Sequence, residues 1–501
     1  MSLYIQTLLK NALGYIKSGE LDEALNLIRR AQDSSPNNPD IFRLLSVISA
    51  LKFDYNNALE LIDESIRLDS RNGVALSNKG NILKELGRHD EAILCFDEAI
   101  RLLPNYSEAY NNKANALQDL QRYEEAIDWY DKAIALQPMY AEAYSNKGNA
   151  LEWLRRHDEA MENYDKATAI NPQYVDSYWH KALSQLASGN FELGWQNYEA
   201  RWSKVNPIQF LYAQITRLES LQNIDGKNIL IWAEQGLGDT LQFCRYIKIL
   251  AHHGAKITFV IPKALMEVLK PLSGYCSMVN ASEEISLSFD FQSPLLSLPI
   301  LFGTTVNTVP NTTPYLTPEP KKVESFAAII RNSNRLKVGL VWNGGFRADH
   351  PELWDTNKRR NIDLALIAQL KDIPGIDFYS LQKGDPAESE LIAKKSVLWP
   401  HIIDNSSLLK DFSDTAALIE NLDLVISVDT STAHLAGALG KPVWMLNRYD
   451  SCWRWLRDRE DSPWYPTAKI YQQKQPGSWD EVIARVRLDL NGLAQKKHTG
   501  V

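Results

Sequence analysis

GRHDEAILCFDEAIRLLPNYSEAYNNKANALQDLQRYEEAI, Gly87–Ile127, contains its own opening twice: GRHDEAI and QRYEEAI stand 34 residues apart. Working outward, Ala92 belongs to a column at that spacing: Ala24, Ala58, Ala92, Ala126, Ala160 and Gly194. Twelve residues before each lies a second small residue: Ala12, Ser46, Gly80, Ala114, Gly148 and Ala182. Seven residues after come Ala31, Ser65, Ala99, Ala133 and Ala167. Helix breakers follow at Pro36, Pro104, Pro138 and Pro172, with Ser70 in the second repeat. Small residues let two helices of one hairpin approach closely. The proline ends the second helix, because it lacks an N–H and clashes with the preceding turn. The acids of HDEA and YEEA sit near the positive end of that helix's dipole.

A period of 34 residues is that of tetratricopeptide helical hairpins, so residues 1–206 are expected to form a repeat solenoid. The sixth unit, FELGWQNYEARW, departs from the pattern. Gly194 replaces alanine, Arg201 occupies the next small column, and the breaker arrives late as Pro207. A degenerate last unit is what a cap or a junction looks like. Asparagines also recur at the period, as Asn78, Asn112 and Asn146 and as Asn81, Asn115 and Asn149. Either they form an amide ladder for the backbone of an extended protein or peptide acceptor, or asparagine is simply common in such repeats.

The chain has 501 residues, too many for one core. Its net charge of -8 argues against a nucleic-acid partner, which normally leaves a basic footprint. Cys95, Cys244, Cys276 and Cys452 are far apart and form no CxxC pair, which points away from disulfides and zinc and toward the cytoplasm. The opening MSLYIQTLLKNALGYIKSGE is expected to be an amphipathic helix, not a signal peptide. No stretch is long and apolar enough to span a bilayer.

After a connector expected at 207–226 the period changes. NILIW (Asn228–Trp232), KITFVIP (Lys256–Pro262), KVGLVW (Lys337–Trp342), GIDFYSL (Gly375–Leu381), LDLVISV (Leu422–Val428) and KPVWML (Lys441–Leu446) alternate with helix-like segments. Alternation of this kind implies parallel sheets with βαβ crossovers. Two sets occur, predicting two doubly wound lobes at 227–330 and 331–475, then a C-terminal helix and tail at 476–501. Ligands bind such folds at the C-terminal ends of strands.

Three clusters fall there. In Glu234-Gln235-Gly236-Leu237-Gly238-Asp239 the glycines permit a tight turn, and Asp239 is either a helix cap or a carboxylate facing the cleft. Trp342-Asn343-Gly344-Gly345 is followed by Lys358, Arg359 and Arg360, which are either a solvated basic patch or a phosphate grip. Asp429-Thr430-Ser431-Thr432-Ala433-His434 opens a small-residue helix whose free N–H groups suit an anion. There, Asp429 or Thr430 either caps or serves that anion. None of the three is a Walker A loop or a dinucleotide GxGxxG, which argues against an ATPase or a dehydrogenase.

GLGD, WNGG with KRRNI, FYSLQKGDP, DFSDTAALIENLDLVISVDTSTAHLAGALGKPVW and DSCWRWL with DSPWYP together resemble a bacterial group of tetratricopeptide proteins. Its C-terminal half is similar to the heptosyltransferase-type family 9 glycosyltransferases. The layout also resembles the O-linked N-acetylglucosamine transferases, whose signature motifs do not occur here. The resemblance implies a GT-B fold of two Rossmann-like lobes. It further implies inverting sugar transfer from a nucleotide-sugar co-substrate, with no cofactor and no metal, in keeping with the lack of a DxD motif. It assigns the general base to Asp239. It puts Asp429, Thr430, Ser431, Thr432 and His434 at the donor diphosphate, with Gly238 and Asn343 from the glycine turns on the donor side. Lys383 and Arg360 are further phosphate contacts on this basis, and Gln382 meets the base or ribose. Trp453 and Trp455 either wall the donor pocket or belong to the core. The expected acceptor is a protein held by the repeats. The alternatives are a glycan or lipid-linked acceptor, with the repeats recruiting a partner, and a non-catalytic interaction protein.

Overall fold

The computed structural model of the protein describes residues 3–204, 207–285, 288–345 and 354–499. The chain divides into two compact units, Met1–Lys181 and Ala182–Val501.

The first unit is a run of helical hairpins, from Leu3–Ser18 with Leu21–Ser34 to Ala141–Trp153 with His157–Ile170. The small columns are its seams: Ala24, Ala58, Ala92, Ala126 and Ala160 are fully buried, as are Ala12, Ser46 and Ala114. Gly80 and Gly148 have a direct reason to be glycine. A Cβ at Gly80 would stand 2.5 Å from the Phe96 ring, and one at Gly148 2.5 Å from the Tyr164 ring. The second helices start on acids, Asp90 and Glu91, Glu124 and Glu125, Asp158 and Glu159, which favour the positive end of the dipole.

The second unit begins at Ala182 and holds the helix Phe191–Tyr198 of the last repeat. Trp195, almost fully buried, packs edge-on to Phe243, Trp453 and Trp464. Its helix thus shares a core with the α/β region. Residues 207–226 continue that packing. Phe210, Tyr212 and Ile215 join Trp232 in one apolar cluster, and Thr216 and Leu218 exchange backbone hydrogen bonds with Gln292.

Ten strands make two parallel sheets among the described residues. β1 (Asn228–Trp232), β2 (Lys256–Ile261), β3 (Cys276–Asn280) and β4 (Phe291–Pro294) lie in the order β3-β2-β1-β4. β5 (Leu336–Val341), β6 (Ile376–Ser380), β7 (Ile403–Asp404), β8 (Leu424–Val428), β9 (Val443–Asn447) and β10 (Ala468–Gln472) lie in the order β10-β9-β8-β5-β6-β7. This is the two-sheet architecture expected of a GT-B fold. The central strands β6 and β8 are buried along their whole length, as strands covered on both faces must be. The C-terminal helix Trp479–Thr499 belongs to the second lobe: Trp479, Val482, Ile483, Val486 and Leu490 lie in its core. All four cysteines are free, and no helix among the described residues is long and apolar enough to cross a membrane.

Candidate active site

In each sheet the strand order reverses beside one strand. The chain goes from β1 outward to β3, then returns to the other side of β1 as β4. It goes from β5 outward to β7, then returns to the other side of β5 as β8. Open α/β sheets bind ligands at such switch points. The three motif clusters follow β1, β5 and β8, the strands that flank these reversals.

The turn after β1 leads into the short helix Leu237–Phe243, capped at Gly236. The Asp239 carboxylate accepts a hydrogen bond from the Gly236 N–H at 2.9 Å, so it is a helix cap. Its other oxygen accepts from the Arg454 guanidinium. Both side chains are largely buried. Burial alone would lower the Arg454 pKa, but Asp239, Cys452 and Tyr198 raise it well above the usual value.

Gly238 packs against the third cluster. A Cβ there would stand 2.9 Å from His434 Cδ2 and 3.4 Å from Ser431 Cα. The glycine thus brings the turn of the first sheet against the helix Ser431–Ala438 of the second. Thr430 caps that helix in extended conformation without a side-chain cap bond. Its hydroxyl lies 3.0 Å from Ser427 Oγ instead. The Thr430 carbonyl accepts from Ala433 N–H and His434 N–H, and the Ser431 and Thr432 amides precede these at the helix start. His434 is buried, bonded through Nδ1 to Tyr465 Oη at 2.9 Å and stacked on Trp455 at 5.2 Å. Burial pushes its pKa down to about 4 against the opposite pull of Asp429. The Asp429 carboxylate lies 3.9 Å from His434 Nε2. Burial acts upward on Asp429, but His434, Arg448 and Arg360 outweigh it and hold its pKa below the usual value.

The second cluster joins the third through Arg360. This residue ends the helix Trp354–Arg360 and donates to the Asp429 carbonyl at 3.0 Å. Its guanidinium lies where a side chain at Gly344 would stand, which explains that glycine. Arg359 faces Asp450 at 3.3 Å, while Lys358 is exposed. Gln382 is buried and bonded to the turn after β5 through both ends of its amide. Its Oε1 accepts from Trp342 N and Asn343 N, and its Nε2 donates to the Asn343 carbonyl at 2.9 Å. Asn343 Oδ1 is buried with no partner among the described residues. Lys383 turns to the Ser406 carbonyl at 2.9 Å and to Glu388, so its bonds are to β7-side neighbours and not to the Asp429 cluster. Trp453 and Trp455 are both buried in aromatic clusters.

Sequence reading missed several partners. Arg454 stands between two buried tryptophans in CWRWL, and that setting was the available signal. Glu234 is 5% exposed and bonded to Arg201 at 2.9 Å. Burial pushes its pKa up to about 7 against the pull of Arg201. Arg448 carries no local signal, and Tyr465 lies in DSPWYP, where nothing pairs it with His434. Among the described residues no group of three or more His, Cys, Asp or Glu side chains is arranged to hold a metal ion.

The amide columns split into two groups. Asn146 donates to Asn111 and Asn115, Asn115 accepts from Tyr130, and Asn149 accepts from Tyr164 and meets His180. Asn78, Asn81 and Asn112 are half-buried.

Residues 410–475, from the segment before β8 to β10, match the model of glycosyltransferase family 9 (heptosyltransferase). Tetratricopeptide repeat models match residues 9–73, 73–106, 95–128 and 141–174, and a TPR repeat model matches 114–152. Protein FlbA of Caulobacter vibrioides is 28% identical over 338 residues, which are 63% of this chain and 54% of that protein. The chain therefore spans about half the length of this curated relative. Anaphase-promoting complex subunit 3 of Schizosaccharomyces pombe is 31% identical over 80 residues, 16% of this chain and 12% of that one. Among solved structures, Pseudomonas aeruginosa PilF is similar over 39% of this chain and 88% of its own, at 21% identity and a TM-score of 0.35. The chain carries tetratricopeptide repeats followed by a glycosyltransferase family 9 (heptosyltransferase) domain.

Proposed function

We propose that the protein is an inverting glycosyltransferase that moves a sugar from a nucleotide-sugar to a protein or peptide acceptor recruited by its repeats. One observation carries this reading: the Gly238–His434 contact, which sets a carboxylate-bearing turn after β1 against an anion-suited helix start after β8. Asp239 takes the proton of the acceptor nucleophile as that atom attacks the anomeric carbon. A carboxylate oxygen that already accepts one N–H bond retains lone-pair capacity for this. The bond from the anomeric carbon to the diphosphate breaks, and the leaving charge goes to the diphosphate. The Ser431 and Thr432 amides, with Arg360 and Arg448 nearby, supply stabilisation that a metal ion provides elsewhere. Metal-free transfer is part of the proposal. The neutral His434 serves as a hydrogen-bonding wall, and Gln382 shapes the turn that bears Asn343. A cytoplasmic setting rests on the four unpaired thiols.

The test incubates the full chain, with proteins co-expressed beside it, against UDP-glucose, UDP-N-acetylglucosamine, GDP-mannose and ADP-heptose. Intact-mass spectrometry then looks for a hexose-, N-acetylhexosamine- or heptose-sized increment on a protein. Transfer that persists at the wild-type rate in D239A rules out the assigned base. Modification of a glycan or lipid and of no protein would shift the reading to the alternative acceptor class.

A further inference from the structure

Arg201 occupies a column that holds Ala31, Ser65, Ala99, Ala133 and Ala167 in the five preceding repeats. In those repeats the position is a fully buried helix seam. At the sixth repeat the helix has ended at Tyr198, and Glu199–Trp202 forms a 3-10 turn. The arginine side chain is fully buried and reaches out of the repeat. One terminal nitrogen donates to the Tyr198 carbonyl at 3.1 Å and Glu199 at 2.7 Å; the other donates to Glu234 at 2.9 Å and Ser297 Oγ at 2.8 Å. The guanidinium also lies 4.2 Å from the Trp202 ring centroid. Glu234 is the second residue after β1. The next residue, Gln235, has a left-handed φ of 65° and donates to Tyr198 Oη at 3.0 Å. Non-glycine residues hold that conformation only where the surroundings over-determine it. Gly236 follows, and its N–H holds the Asp239 carboxylate. Both residues leading into the turn are thus gripped by the last repeat.

We propose that Arg201, with Tyr198, is a positioning residue: it anchors the entrance of the Glu234–Asp239 turn and so sets where the Asp239 carboxylate stands. This makes the sixth repeat a working part of the transferase domain. It explains why a column of small residues ends in an arginine. The charges facing Glu234 are Arg201, Glu199 and Asp239, and Arg201 is the cation among them. Substitution by a neutral residue leaves that carboxyl buried beside acids alone. The kinetic part of the proposal rests on the transferase reading; the anchoring part does not.

Hydrogen–deuterium exchange of the full-length protein decides the anchoring. In R201M the peptide spanning residues 233–241 is expected to exchange about tenfold faster, with β6 and the first five repeats unchanged. R201K, which keeps one charged bond, falls between R201M and wild type. Y198F, which removes one hydroxyl and keeps the ring, is expected to give about a threefold acceleration at the same peptide. In the transfer assay above, with the panel donor that the wild type uses, kcat in R201M falls about tenfold while the donor KM stays within twofold. R201K recovers part of the kcat. Unchanged exchange at 233–241, or acceleration shared equally by β6, overturns the proposal. If R201M does not fold, Y198F decides by the same criterion. A wild-type chain with no transfer activity counts against the transferase reading alone, because exchange still decides the anchor.

Discussion

The Arg454 guanidinium donates to the Asp239 carboxylate across 215 residues of sequence. It joins the segment after β9 to the first turn after β1. Removal of one member leaves the other charge buried and alone, which costs about 3–5 kcal/mol. D239A and R454M are each expected to lower stability on that scale in urea unfolding of the α/β unit. The double variant D239A/R454M should recover most of the loss. Transfer should not recover, since a general base contributes about 10²–10⁴-fold. A double variant no more stable than either single one would show that the pair is not coupled.

His434 gives a pH dependence with a defined sign. Its folded-state pKa is about 4, below the ordinary value of about 6.5. A depressed folded pKa contributes stability that is present above the unfolded pKa and lost as pH falls. The melting temperature of the α/β unit should therefore decline between pH 6.5 and 4. H434Q should flatten that decline. An unaltered slope would place the acid sensitivity on another group.

Gly344 is expected to matter through Arg360. A methyl group at Gly344 would overlap the Arg360 guanidinium and push it off the Asp429 carbonyl. A charge-assisted hydrogen bond is worth about 1.5–3 kcal/mol. G344A and R360A should then raise the donor KM about tenfold or more, with a smaller change in kcat. Steady-state kinetics with varied donor checks this; an unchanged KM in both would remove Arg360 from the donor site.

Two glycines of the repeat unit should respond oppositely to alanine. Gly14 is exposed within the helix Leu3–Ser18, with nothing near a new Cβ. G14A should stabilise the unit by up to about 1 kcal/mol through helix propensity. Gly148 faces the Tyr164 ring, which is pinned by its hydroxyl to Asn149 at 2.8 Å. G148A should destabilise it by about 1–3 kcal/mol through overpacking. Thermal melts followed by circular dichroism compare the two, and a stabilised G148A would contradict the packing argument.

The sequence by itself determined the repeat array, because close helix contact recurs at a fixed spacing and demands a small residue each time. It also determined the two parallel sheets and the strand ends that carry the three motif clusters, since buried strands must be apolar and glycine turns must follow them. It did not mark β3, β4, β7 and β10. β4 and β7 are short, and β3 and β10 are only partly buried and carry polar residues, so no clear apolar run announces them. Only the tertiary structure decided which charges meet. Arg201 reads in sequence as the occupant of a small-residue column and Arg360 as a basic patch or phosphate contact, and no spacing pairs them, or Arg454, with Glu234, the Asp429 carbonyl and Asp239. Gln382 reads as a ligand contact, whereas its amide is bonded to the backbone of Trp342 and Asn343. Periodic packing is written in local spacing. The pairing of buried charges depends on how the sheets bring distant strand ends together, and nothing in local spacing records that.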